Sequence, residues 1–160
     1  MPFVTVAEGF VTRCAPNQGR RSIAVGPRIV ALPGGELLCS CMVTSALGTN
    51  DFLPVLYRSM DLGRTWTEQG PTWPHLQERW SIFASISRDA ADRLFLFGSR
   101  TPIDQPGESF WSEATQGLKP NELIWSRSVD DGWSWTGPAV IPMPLASGPR
   151  RTPFERAERN

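Results

Sequence analysis

The eight residues Ser59-Met60-Asp61-Leu62-Gly63-Arg64-Thr65-Trp66 recur, position by position, as Ser128-Val129-Asp130-Asp131-Gly132-Trp133-Ser134-Trp135. Both copies read S-x-D-x-G-x-[TS]-W, both follow an arginine (Arg58, Arg127) and an apolar run, and they lie 69 residues apart. Such a repeat constrains the fold strongly, because each copy must belong to a supersecondary unit that buries its apolar face against the next. Each residue type has a mechanical job in a strand–turn–strand unit. The aspartate carboxylate accepts backbone N–H groups across the turn. Glycine supplies positive φ where the chain reverses. The serine and threonine hydroxyls tie the flanking strands, and tryptophan is expected to bury its ring between the hairpin and a neighbouring sheet.

The rest of the chain fits that unit. Apolar runs at 27–32 (PRIVAL) and 36–42 (ELLCSCM) flank Pro33-Gly34-Gly35, which reads as a hairpin. A polar loop, SALGTND, leads to PVLYRS at 54–59, and a fourth strand is expected around Thr65-Trp66-Thr67. The pattern returns as WSIFASI (80–86), RLFLFG (93–98), ELIWSRS (122–128) and Ser134-Trp135-Thr136, with a long insertion from Thr101 to about Asn121. The spacing predicts two consecutive four-stranded meanders. Fourteen glycines and 15 prolines leave no room for long helices, and no stretch has sustained helical periodicity.

Composition removes several function classes. Sixteen basic and 16 acidic residues cancel, so the footprint of a nucleic-acid binder is absent. No run of 18 apolar residues exists to span a bilayer as a helix, and no signal-peptide pattern opens the chain, so the expected residence is cytoplasmic unless a leader was lost. Cys14, Cys39 and Cys41 are an odd set, with the last two on one face of a strand, and read as reduced thiols. With His75 the only histidine, no zinc-type cluster is expected, and no cofactor is implied. Residues 147–160 are polar and charged and read as a disordered tail.

The repeated motif resembles the Asp box, or bacterial neuraminidase repeat, of the sialidase (neuraminidase) superfamily, over roughly residues 24–140. The resemblance implies an all-β chain built as a β-propeller of the sialidase type, six-bladed in that family. About two four-stranded blades would be present here, within residues 1–146. The Asp box itself is structural in that family.

A second likeness concerns chemistry. Sialidases carry a [FY]-R-I-P motif on the innermost strand of the first blade; here Gly26-Pro27-Arg28-Ile29-Val30 stands in that place, matching at Arg28 and Ile29 but lacking the aromatic and the proline. Asp51 follows 23 residues later, seven before Arg58, as the family pattern requires. The resemblance implies that Arg28 forks onto a sialic-acid carboxylate. Asp51 would protonate the leaving glycosidic oxygen once its pKa is raised. Arg100, after the RLFLFG strand, and Glu113, in the insertion, are further substrate-binding candidates. Plainer readings stand beside these: an inter-strand salt bridge for Arg28, a loop-capping Asx role for Asp51, a surface position for Arg100. Trp73 to Trp80 either seals the two units together or offers a sugar platform.

Sialidases use a tyrosine nucleophile, and in the family it comes with a glutamate and two further arginines from later blades. The only tyrosine here, Tyr57, sits in a strand immediately before Arg58 and reads as structural. The expectation is therefore a sialidase-like glycoside hydrolase (exo-alpha-sialidase family) acting on terminal sialic acid or a related sugar acid, in a truncated and inactive form. The alternative is a non-catalytic Asp-box propeller serving as a carbohydrate- or protein-binding or assembly module. The partner implied is a sialic-acid-like glycan, with neither nucleic acid nor membrane, and open blade edges invite self-association.

Overall fold

The computed structural model describes residues 8–143, so the tail expected at 147–160 lies outside the described residues. Ten strands follow in order: β1 (Ile23–Ala31), β2 (Leu37–Thr44), β3 (Leu53–Ser59), β4 (Thr67–Pro71), β5 (Trp80–Arg88), β6 (Leu94–Pro102), β7 (Trp111–Ser112), β8 (Gly117–Leu118), β9 (Glu122–Ser128) and β10 (Ala139–Val140). Short 3₁₀ turns at Gly19–Arg21 and Pro74–Leu76 are the only helical pieces among these residues, and no helix is long and apolar enough to cross a membrane. Two antiparallel four-stranded sheets result, ordered β1-β2-β3-β4 and β10-β9-β6-β5, with β7-β8 as a small hairpin inside the insertion. Both are meanders, as the sequence predicts.

The turns explain themselves chemically. Leu32 donates its N–H to Glu36 O at 2.8 Å around Pro33-Gly34-Gly35, with Gly35 at φ 87°. In the first repeat, Ser59 Oγ donates to Asp61 Oδ1 and accepts the Gly63 N–H, both at 2.8 Å. Asp61 also accepts the Thr65 N–H at 2.8 Å and the Thr65 hydroxyl at 2.6 Å. The second repeat copies this set: Asp130 takes the Ser134 N–H at 2.8 Å and its hydroxyl at 2.5 Å, while Ser128 Oγ takes the Gly132 N–H at 2.8 Å. The hydroxyls of Thr65 and Ser134, followed by their N–H groups, hold both carboxyls down to about 2.

Two expectations need correction. The fourth strands start at Thr67 and Ala139, after each tryptophan, because the [TS]-W residues are still bonded into the turn. β10 is cut to two residues between Pro138 and Pro142, neither of which can donate to the ladder. Trp66 and Trp135 are also half-buried rather than fully so: each packs on the margin of an apolar cluster. The fully buried tryptophan is Trp73, in the connector, whose Nε1 donates to Thr136 O at 3.0 Å and so ties the two sheets together.

The main core lies between the sheets, where Leu32, Leu38 and Leu56 meet Ile82, Ala84, Ile86, Leu94, Leu96 and Ile124. Strand β5 leads the second sheet into the first: its Ile86 N–H bonds Ser40 Oγ at 2.9 Å, and its Ile82 N–H bonds Phe52 O at 2.8 Å. The opposite face of the first sheet gathers Cys39, Cys41, Val43, Val55 and Tyr57 under Val11 and Trp66. At the repeat end, Arg58 is 3 % exposed, ion-paired with Glu36, bonded to Asp131 O of the second repeat and stacked on Trp133.

Candidate functional site

The insertion does not float free: it folds back onto the loop between β2 and β3. Thr49 and Ser109 form an antiparallel bridge, flanked by Asn50 N–H to Glu108 O at 2.7 Å and Phe110 N–H to Gly48 O at 3.3 Å. Side chains reinforce the seam. Asn50 Nδ2 donates to Pro102 O and to Glu108 Oε1, both at 2.8 Å. Lys119 Nζ reaches the same Glu108 oxygen at 2.7 Å and Asp104 at 2.6 Å, and the Asp104 N–H adds a bond to Glu108 at 3.0 Å.

Burial by itself would push the Glu108 carboxyl up, but the bonds from Lys119 and Asn50 outweigh it and hold the group below its usual range. Burial likewise opposes the charge of Lys119, and its two carboxylate partners prevail and raise it. Two acceptors on Nδ2 fix the orientation of the Asn50 amide, since a flip would set oxygen against carboxylate. That leaves Asn50 Oδ1 buried with no hydrogen-bond partner among the described residues, on a residue only 2 % exposed. A buried acceptor left unpaired costs free energy.

Asn50 lines a cleft of about 170 Å³ where loop, second sheet and insertion meet. Phe52, Phe83 and Phe110 form aromatic walls, with Phe52 edge-on to Phe83 at 5.5 Å and 6.1 Å from Phe110. Ser81 and Phe83 on β5, and Ser99 and Thr101 on β6, reach it because alternate residues share a sheet face. Lys119 and Asn121 complete the polar side. Hydroxyls and flat rings thus share the lining of one small cleft, with the apolar part the larger. Among the described residues no histidine, cysteine, aspartate and glutamate side chains group so as to hold a metal ion.

The residues singled out from sequence fall in different places. Asp51, 9 % exposed, sits between the cleft residues Asn50 and Phe52 without lining the cleft itself; it accepts the Thr44 hydroxyl at 2.5 Å and the Ser45 N–H at 3.3 Å. It caps its own loop. Arg28 is exposed and has no hydrogen-bond or ion-pair partner among the described residues. It stands opposite Ser40, four residues along β2 from the Thr44 that holds Asp51, or roughly 13 Å of strand. Both lie on the same face of the first sheet, but the two side chains are not in contact.

A register shift between Val25 and Arg28 bends β1 there, with Gly26 at φ 61°. A Cβ on Gly26 would stand 2.9 Å from both Met42 Cε and Phe83 Cζ, so the bulge presses directly on a cleft wall.

Arg100 and Glu113 are engaged elsewhere. Arg100 donates to Glu122 at 2.6 Å and stacks on Trp80, on the face of β6 opposite to Ser99 and Thr101. Glu113 is exposed in the β7–β8 turn, bonded to Gln116 at 3.0 Å. Tyr57 is 2 % exposed on the far face of the first sheet, where burial pushes its phenol up to about 12. The insertion carboxylate brought to the Asp51 loop is Glu108, not Glu113. Sequence reasoning missed Glu108, Asn50 and Lys119; the signal available was the alternation Ser81-x-Phe83 and Ser99-x-Thr101, polar and aromatic on one face.

No family model matches the chain, and no curated protein matches it. Among solved structures, the Hadza microbial sialidase Hz136 is similar over 75 % of this chain and 26 % of its own, at 18 % identity and a TM-score of 0.62. A protein of unknown function from Dyadobacter fermentans DSM 18053 is similar over 70 % of this chain and 26 % of its own, at 19 % identity and a TM-score of 0.48. The chain thus spans about a quarter of the length of either structure. The first likeness is one of fold: the all-β arrangement of this chain is similar to part of a sialidase.

Proposed function

We propose that residues 1–146 form two neighbouring blades of a sialidase-like propeller, and that the cleft beside Asp51 is one wall of a site for a sugar acid such as sialic acid. The cleft carries the reading. Its rings can lie against the faces of a sugar, and its hydroxyls can bond sugar hydroxyls. Arg28, uncommitted to any described partner on the same side of the first sheet, is the cation offered to a carboxylate. The likeness to a sialidase supports the fold part of this reading.

Hydrolysis asks for more. Asp51 is the acid in this scheme, yet its oxygens are engaged by the Thr44 hydroxyl and the Ser45 N–H, and it is not among the residues that line the cleft. The only tyrosine is buried on the wrong face for a nucleophile. Recognition without turnover is thus the activity of this chain by itself. That same capping of Asp51 favours the second reading, a carbohydrate-binding or assembly module.

Nuclear magnetic resonance titration with sialic acid, using a neutral hexose as control, tests both. Saturable shifts around Asn50 and Phe110 with sialic acid are expected, weakened about tenfold by Arg28→Ala, and no fluorophore should be released from a fluorogenic sialoside. An equal response to the neutral sugar, or an Arg28→Ala chain that binds as well as the parent, overturns the sugar-acid reading. Turnover by this chain alone overturns the non-catalytic part.

A further inference from the structure

Of the two faces that each four-stranded sheet presents, three are covered among the described residues. The sheets bury one face each against the other, and the far face of the first sheet lies under Val11 and Trp66. The far face of the second sheet is covered at one end only, where Phe52 and the insertion lie over Ser81, Phe83, Ser99 and Thr101; the rest has no cover among the described residues. Its register sets Phe97 beside Trp125, Ser99 beside Leu123 and Phe95 beside Arg127. The Phe95 ring lies 5.7 Å from Phe97 and 6.2 Å from Trp125, forming a continuous aromatic row. Phe97 is 46 % exposed, Leu123 38 % and Phe83 37 %, an apolar patch of the kind that marks an interaction surface.

Charge tells what would cover it. At one end of the row, Arg127 and Asp131 line a shared concavity of about 470 Å³. Arg93, in the same concavity, is already paired with Asp89. Arg127 and Asp131 have no ion-pair partner among the described residues, in their own chain or with each other. A rim that carries one free cation and one free anion beside an apolar centre is complementary to itself, which is what an isologous two-fold interface requires.

We propose that a second copy of this chain covers the far face of the second sheet. The two-fold axis runs along the strands beside β9, so that Arg127 of each copy meets Asp131 of the other while the aromatic rows face one another. Phe83 and Ser99 belong both to this face and to the cleft, so the partner also borders the cleft's open side. In a longer propeller the next blade would bury the same face; for this chain alone, another copy does so. This contact requires no sugar ligand.

Analytical ultracentrifugation of the 160-residue chain over a wide concentration range tests it, with a species of twice 17.8 kDa expected. Arg127→Asp and Asp131→Arg each set like charges across the axis, so each variant alone should be monomeric where the parent is dimeric. Mixed in equal amounts, the two should form a heterodimer, because every contact then joins opposite charges. Asp131→Arg is compatible with the turn: Leu62 holds the equivalent place in the first repeat at φ 59°, against 54° for Asp131. Phe97→Lys should also abolish the dimer; should that variant fail to fold by circular dichroism, the charge-swap mixture decides. A parent chain monomeric throughout, a mixture that does not recover association, or a folded Phe97→Lys dimer overturns the proposal.

Discussion

Gly63 and Gly132 occupy the same place in the two repeats, at φ 88° and 83°, yet their neighbours differ. A Cβ on Gly63 would meet Leu37 Cδ1 at 3.5 Å, an ordinary contact; on Gly132 it would meet Leu38 Cδ2 at 2.4 Å. Leu38 cannot step aside cheaply, because it is 0 % exposed and locked in the core between the sheets. Alanine at either position carries the backbone strain of an L-residue in the left-handed region, about 1–2 kcal/mol. At Gly132 the overpacked contact adds about 1–3 kcal/mol more. Gly63→Ala should therefore cost about 1–2 kcal/mol and Gly132→Ala about 2–5 kcal/mol. Urea titration of both variants, followed by tryptophan fluorescence, reads the difference as a larger midpoint shift for Gly132→Ala at unchanged slope. Equal shifts would refute the reasoning, because the excess exists only if the second repeat packs on Leu38 of the first sheet.

Three other outcomes follow from the charges and thiols. Asp61 and Asp130 are depressed from 3.8 to about 2, so the stability they contribute is present above their unfolded pKa and lost as pH falls toward 2; thermal melts of Asp61→Asn/Asp130→Asn should show a shallower acid limb than the parent. Burial pushes Cys39 to about 11 and Cys41 to about 12 while Cys14 is exposed, so one thiol should react with a disulfide reagent in the native chain and three after denaturation. Lys119→Met leaves the mostly buried Glu108 carboxylate without its ion pair and should cost about 1–3 kcal/mol at neutral pH, with faster amide exchange at Asn50.

Local structure could be read from the residues alone. The S-x-D-x-G-x-[TS]-W copies specify their own turns, since every bond that Asp61 and Asp130 make closes within four residues. Alternating apolar runs specify the strands, and meander order follows from consecutive strands pairing, with the β6–β9 insertion looped out between them. Contacts between residues far apart in the chain were fixed only by packing. Nothing near Asn50 in sequence announces that Glu108 and Lys119 will close on it, because that meeting depends on the insertion folding back across the β2–β3 loop. Arg100 and Glu113 resembled site residues as single letters, but sheet parity turned Arg100 toward Glu122 and the hairpin carried Glu113 away. Side-chain chemistry is written residue by residue, whereas a site is made by which faces and loops come to oppose one another, and that is settled when the two sheets pack.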